Sequence, residues 1–125
     1  MVNVKDLNGK FNKRMESKYE RLITNFEEFI DKQLIQTNGK SKLTKWDFLA
    51  IVDKAIGGLS TVDYTLYKEA FEYIEKGLSV FGHMPYNDGY LYTEEATLLR
   101  YMLKRYNNNG YLVKPSRSKT IYIER

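Results

Sequence analysis

The chain has 125 residues, 42% of them hydrophobic, and a net charge of +4, which is ample for one folded domain and excludes a disordered chain. It has no cysteine, excluding disulfides and thiolate metal sites and fitting a reducing, cytoplasmic setting. His83 is the only histidine, which excludes two-histidine metal centres, and no apolar run approaches the ~18 residues of a membrane span, so neither export nor membrane insertion is expected.

Residues 1–12 mix Asn, Gly, Lys and Asp and read as a flexible arm. Met15, Tyr19, Leu22, Ile23, Phe26, Phe29, Ile30 and Leu34 then recur in steps of three and four, predicting an amphipathic helix over 13–36. Asn38-Gly39 supplies its left-handed stop. The length and breadth of this stripe lead us to expect a homodimer through helix 13–36. A second helix opens at Thr44, with Asp47 three residues on as a capping partner. It is expected to bury Phe48, Leu49, Val52, Ala55 and Ile56 and to end at Gly57-Gly58. Ser60 starts a third helix, with Val62, Leu66, Tyr67, Ala70, Phe71 and Ile74 as its buried stripe and Gly77 as its close.

Residues 77–92 break the helical period with Gly82, Pro85, Asn87, Asp88 and Gly89, and 84–92 could form a short hairpin around Asn87-Asp88-Gly89. A connector of this length is either functional or hides an element. Thr93 caps a fourth helix, with Glu94 and Glu95 in the first turn, where the helix dipole favours acids. Leu99, Met102, Leu103 and Tyr106 face inward, and Asn107 to Gly110 end it. Tyr111-Leu112-Val113 and Ile121-Tyr122-Ile123 are two β-prone runs around a turn at or near Pro115 to Ser118. The expected fold is mainly α (α+β), with about four helices, a small C-terminal β-hairpin and room for a winged-helix-like arrangement, in one domain over 13–125.

Gly58-Leu59-Ser60 resembles the turn of DNA-binding helix-turn-helix units: glycine reverses the chain, the aliphatic residue packs between the helices, and serine caps the second helix. The resemblance covers about these three residues. Asp53 and Lys54 depart from the usual pattern, and the would-be reading helix carries Asp63 and Glu69 but no arginine. An ordinary αα-hairpin is the expectation there.

Charge points elsewhere. Residues 60–103 carry −4, whereas residues 104–125 carry +5, an asymmetry suited to a polyanion or an acidic protein face. Arg100 and Lys104 are four apart on the last helix. Lys104, Arg105, Lys114, Arg117 and Lys119 would hold a phosphate backbone, with Arg100, Tyr111 and Tyr122 assisting; DNA is favoured over RNA. Glu94 and Glu95 would repel phosphates from the helix N-terminus, so its C-terminal half should face the polyanion. Lysine outnumbers arginine 14 to 6 and alanine occurs four times, a bias of AT-rich coding that suits a phage or other mobile element.

The alternative is a module that inhibits a host or defence enzyme. Its contacts would come from the connector, through Phe81, Met84, Tyr86, Tyr90 and Tyr92, with the basic hairpin steering it to an acidic partner. Catalysis has little support. His83 sits in a loop, Glu27-Glu28 and Glu94-Glu95 point to different helix faces, and no phosphate-loop motif is present. No cofactor or metal is expected.

Overall fold

The computed structural model describes residues 13–75, 93–116 and 120–125. The expected arm over 1–12, the connector with its hairpin, and the Gly77 helix stop lie outside the described residues. Among the described residues, five helices and three strands follow in the order α1 (Lys13–Lys18), α2 (Glu20–Gln36), β1 (Lys40–Thr44), α3 (Lys45–Ile56), α4 (Thr61–Glu75), α5 (Glu94–Asn108), β2 (Leu112–Ser116) and β3 (Thr120–Glu124). The fold is mainly helical with a small antiparallel sheet.

The single helix expected over 13–36 is interrupted at Tyr19, whose φ of −108° and ψ of 18° leave the helical range. Hydrogen bonds of 2.9 Å from Tyr19 N–H to Met15 O and from Ile23 N–H to Tyr19 O carry the ladder across the break. Its apolar stripe is buried within the chain's own core, from Met15 through Phe26 and Ile30 to Leu34. The dimer expected through this stripe therefore loses its basis, because the surface that motivated it already has an intramolecular partner. Asn38 and Gly39 do take positive φ values of 58° and 103°, and Gly39 N–H returns to Leu34 O at 2.7 Å.

The sheet is larger than the expected hairpin. β1 pairs with β3, and β3 with β2, all antiparallel, so the last strand is central. Thr44 both ends β1 and caps α3: its hydroxyl accepts the Asp47 N–H at 3.1 Å, while the Asp47 carboxylate accepts the Thr44 N–H at 3.2 Å. Gln33 Oε1 accepts the Ser41 hydroxyl at 2.7 Å and the Lys42 N–H at 2.9 Å. Thr37 Oγ1 accepts the Lys40 N–H at 3.1 Å. These bonds tie β1 to the end of α2 and occupy backbone donors that an edge strand would otherwise present. Pro115 stands within β2 rather than in the turn, as an edge strand permits.

One hydrophobic cluster draws residues from every described element. Phe48 is central, with ring centroids 6.4 Å from Phe26, 6.1 Å from Tyr67 and 5.6 Å from Phe71. These contacts set the roll of α4. Val62, about 140° around the helix from Tyr67 at 100° per residue, is 68% exposed, and Leu66 is half-buried. Both were expected in the buried stripe. Ile56 at the end of α3 is likewise exposed, and Ile51 takes a place in the core.

The α3–α4 turn works as its residues suggest. Gly57 and Gly58 have φ of 79° and 122°, Leu59 packs against the core, and Ser60 Oγ accepts the Asp63 N–H at 3.0 Å. Asp53, which looked like a departure, closes the turn. Its carbonyl accepts the Gly57 and Gly58 N–H groups, and its carboxylate accepts the Leu59 N–H at 2.9 Å.

Candidate nucleic-acid interface

Strand alternation divides the sheet into two faces. Ser41, Leu43, Val113, Ile121 and Ile123 are buried toward the helices. The opposite face carries Lys40 and Lys42 from β1, Leu112 and Lys114 from β2, and Tyr122 and Glu124 from β3. The register places Tyr122 opposite Lys42 on one side and opposite Lys114 on the other. The result is a row of cation, aromatic ring and cation across three strands, the two lysine backbones about 10 Å apart at ordinary strand spacing. Both lysines are exposed and Tyr122 is half-buried. The next row holds Lys40, Glu124 and Leu112. Glu124 lies between Lys40 and Lys114 and pairs with Lys114 Nζ at 3.4 Å, both groups remaining in contact with solvent. Three lysines against one carboxylate leave this face positive.

The sequence-predicted residues fall in several places. Lys114 and Tyr122 share the outer sheet face. Lys104 is exposed on α5 and makes no ion pair among the described residues. Arg100 turns partly inward: its Nε is buried without a hydrogen-bond partner among the described residues, and burial lowers its pKa, opposed by nearby Tyr73. Arg100 and Lys104 are therefore not equally presented to a ligand. Arg105 pairs with Glu27 at 3.3 Å and lies 5.8 Å from the Tyr101 ring centroid. With Tyr111 it lines a notch of about 230 Å³ that also holds Glu27 and Asp31, an acidic setting poorly suited to phosphate. Tyr111 packs edge-on against Tyr106 at 5.8 Å, and its hydroxyl accepts from Arg125 Nη2 at 3.3 Å. Arg117 and Lys119 lie outside the described residues.

The N-terminus of α5 is closed by protein. Glu94 Oε1 accepts from Arg14 Nη2 at 2.9 Å, and Glu94 Oε2 from Lys18 Nζ at 2.8 Å and the Tyr19 hydroxyl at 2.5 Å. Burial opposes ionisation of Glu94, but the hydrogen bonds from Lys18, Tyr19 and Arg14 outweigh it and hold its pKa down at about 2. Glu95 shifts the other way, raised by burial and by the neighbouring Glu94 charge. Of the two acids that seemed to face a ligand, Glu94 is docked against α1 and Tyr19, and Glu95 is partly buried. The rest of α5 is enclosed too, with Ala96, Thr97, Leu98, Leu99, Met102, Leu103 and Tyr106 buried. On α4, Thr61, Val62 and Thr65 are exposed, and Lys68 and Glu72 approach each other at 3.7 Å.

Sequence reasoning missed Lys40 and Lys42. The signal was the alternation in Lys40-Ser41-Lys42-Leu43-Thr44 directly after Asn38-Gly39, a short strand with lysines on its outer side. The alternative contact set, Phe81, Met84, Tyr86, Tyr90 and Tyr92, lies outside the described residues, as does His83. Among the described residues no helix is long and apolar enough to cross a membrane. No family model, curated protein or solved structure matches this chain.

Proposed function

We propose that this protein binds nucleic acid without catalysis, through a basic surface made by the outer sheet face, the exposed end of α5 and the β2–β3 hairpin. The observation that carries this reading is the register that sets Lys42 and Lys114 on either side of Tyr122, with Lys40 beside them and Lys104 on the preceding helix. Lysines on a sheet and hairpin contact phosphates, which position a nucleic acid without reading its sequence. Support also comes from the layout, a capped helix pair backed by a small sheet whose hairpin follows the last helix, the winged-helix-like arrangement suggested by the element order. Of the two acids at the start of α5, Glu94 is already paired with Arg14 and Lys18.

The test is fluorescence anisotropy with labelled single-stranded and duplex oligonucleotides across a salt series. Dissociation constants of order 10⁻⁴–10⁻⁶ M are expected at physiological salt. If Lys40, Lys42, Lys104 and Lys114 each neutralise one phosphate, log K should fall against log salt with a slope of about −3 for a single strand. Absence of binding to every oligonucleotide at about 50 mM salt overturns the reading.

A further inference from the structure

We propose that the outer sheet face is a base-stacking platform for single-stranded nucleic acid, with Tyr122 as the stacking ring and Lys42 and Lys114 as its phosphate contacts. The proposal rests on the nucleic-acid reading above and narrows it to a strand whose bases are free.

The tyrosines of this protein differ in how much of the ring is committed. Tyr19 and Tyr106 are buried, and their hydroxyls donate to Glu94 and Asp31. Tyr67 is buried against Phe48. Tyr111 is held edge-on by Tyr106 and capped by the Arg125 guanidinium, 5.8 Å from its centroid. Tyr122 is on the central strand, half-open to solvent, and its hydroxyl makes no hydrogen bond among the described residues. A central strand is the most firmly positioned place on a sheet, since both of its edges are paired. Its ring is thus held at a fixed height and azimuth while one side stays available.

The flanking groups suit a strand rather than a compact anion. Lys42 and Lys114 stand on opposite sides of the ring, and each can bury its methylene stem along the sheet while its ammonium reaches outward. A backbone crossing the strands would place successive phosphates near the two ammonium groups with a base over the ring between them. Leu112, half-exposed on the same face, extends the apolar floor beside it. Glu124 is partly neutralised by Lys114 and faces Lys40 across the ladder. In duplex nucleic acid the base faces are occupied by their neighbours, so this platform favours an unpaired strand. Stacking on an aromatic ring tolerates any base, because every base has a π-face.

The experiment compares a labelled oligothymidine with an abasic strand of equal length and charge. The expected result is that the wild-type protein binds oligothymidine at least about fivefold more tightly than the abasic strand, the lower end of what one stacked base contributes, and more tightly than a duplex. Tyr122→Leu should remove the base-dependent gain, Tyr122→Phe should keep it, and Lys42→Ala with Lys114→Ala should weaken both strands in parallel. Equal affinity for abasic and normal strands, or a Tyr122→Leu protein that keeps the gain, overturns the platform. The wild-type comparison needs no variant, so a folding defect in Tyr122→Leu does not shield the proposal. The same pair of strands is run with oligouridine; a base-dependent gain with either sugar supports the proposal, and the larger gain identifies the natural strand. No binding of any strand overturns the nucleic-acid reading itself. Binding of all strands alike, duplex included, overturns only the platform.

Discussion

Lys18 on α1 reaches Glu94 at the start of α5 at 2.8 Å, joining two segments far apart in sequence. Glu94 is only 21% exposed, and Arg14 and Tyr19 complete its shell. The positive charge of Arg14 and Lys18 is thus committed to the fold.

This cluster predicts a specific acid sensitivity. The Glu94 pKa lies at about 2 in the folded chain against 4.5 for a free side chain. Its stabilisation is complete above the unfolded value and is lost as pH falls from about 4.5 toward 2. The full difference corresponds to roughly 3 kcal/mol as an upper bound, reduced by solvent access to Arg14 and Lys18. Glu94→Gln should lower stability in urea melts at neutral pH and flatten the pH dependence across that window. An unchanged acid slope would show that the cluster does not contribute as its geometry implies.

Glu95 should behave in the opposite sense. Burial and the adjacent Glu94 raise its pKa, so the folded chain disfavours its charged form. The penalty is absent where both states are protonated and grows as pH rises above the unfolded value. Glu95→Gln should therefore stabilise the protein at neutral pH and have little effect in acid. The two neighbouring substitutions should move neutral-pH stability in opposite directions, a contrast that chemical denaturation can resolve.

The helices were legible because their signals are local. Met15, Tyr19, Leu22, Phe26 and Ile30 repeat at helical spacing, and Thr44 with Asp47 forms the capping box their order implies. β1 is obscured because Thr44 has two roles, of which the helix cap has the plainer local signal, and because the strand has one strongly apolar residue, Leu43. Its partner, β3, is at the other end of the chain, and no local window contains that pairing. The outward turn of Val62 was hidden for a related reason: the roll of α4 is set by Phe48 meeting Tyr67 and Phe71. The same limit applied to the candidate interface. Clustered charge drew attention to Arg100 and Arg105, whereas tertiary packing turns one inward and pairs the other with Glu27.

Gln33 should couple stability to the candidate interface. Its amide oxygen receives the nearly buried Ser41 hydroxyl and the Lys42 backbone N–H. Gln33→Ala removes both bonds and leaves a buried hydroxyl without that acceptor, at a cost of about 2 kcal/mol. Hydrogen exchange should report faster opening at the Lys42 amide, with less change in α5. Because β1 carries Lys42 and Lys40, oligonucleotide binding should also weaken, although neither lysine is altered.

Lys45 and Glu72 offer a test of asymmetry within one ion pair. Lys45 is 3% exposed, and its Nζ lies 2.8 Å from Glu72 Oε2, while Glu72 keeps 27% exposure and also approaches Lys68. Removing the carboxylate leaves an ammonium in a nearly dry site, softened by the Trp46 ring 4.8 Å away. Glu72→Ala should therefore cost about 3 kcal/mol, in the range for breaking a buried pair from one side. Lys45→Met instead replaces the stem with an apolar chain of similar length and leaves Glu72 with Lys68 and solvent, so about 1 kcal/mol or less is expected. Lys45→Met combined with Glu72→Gln should recover most of the loss seen in Glu72→Ala. Urea melts of the three proteins check this ordering. Equal costs for the two single substitutions would mean that Lys45 is better solvated than its burial indicates.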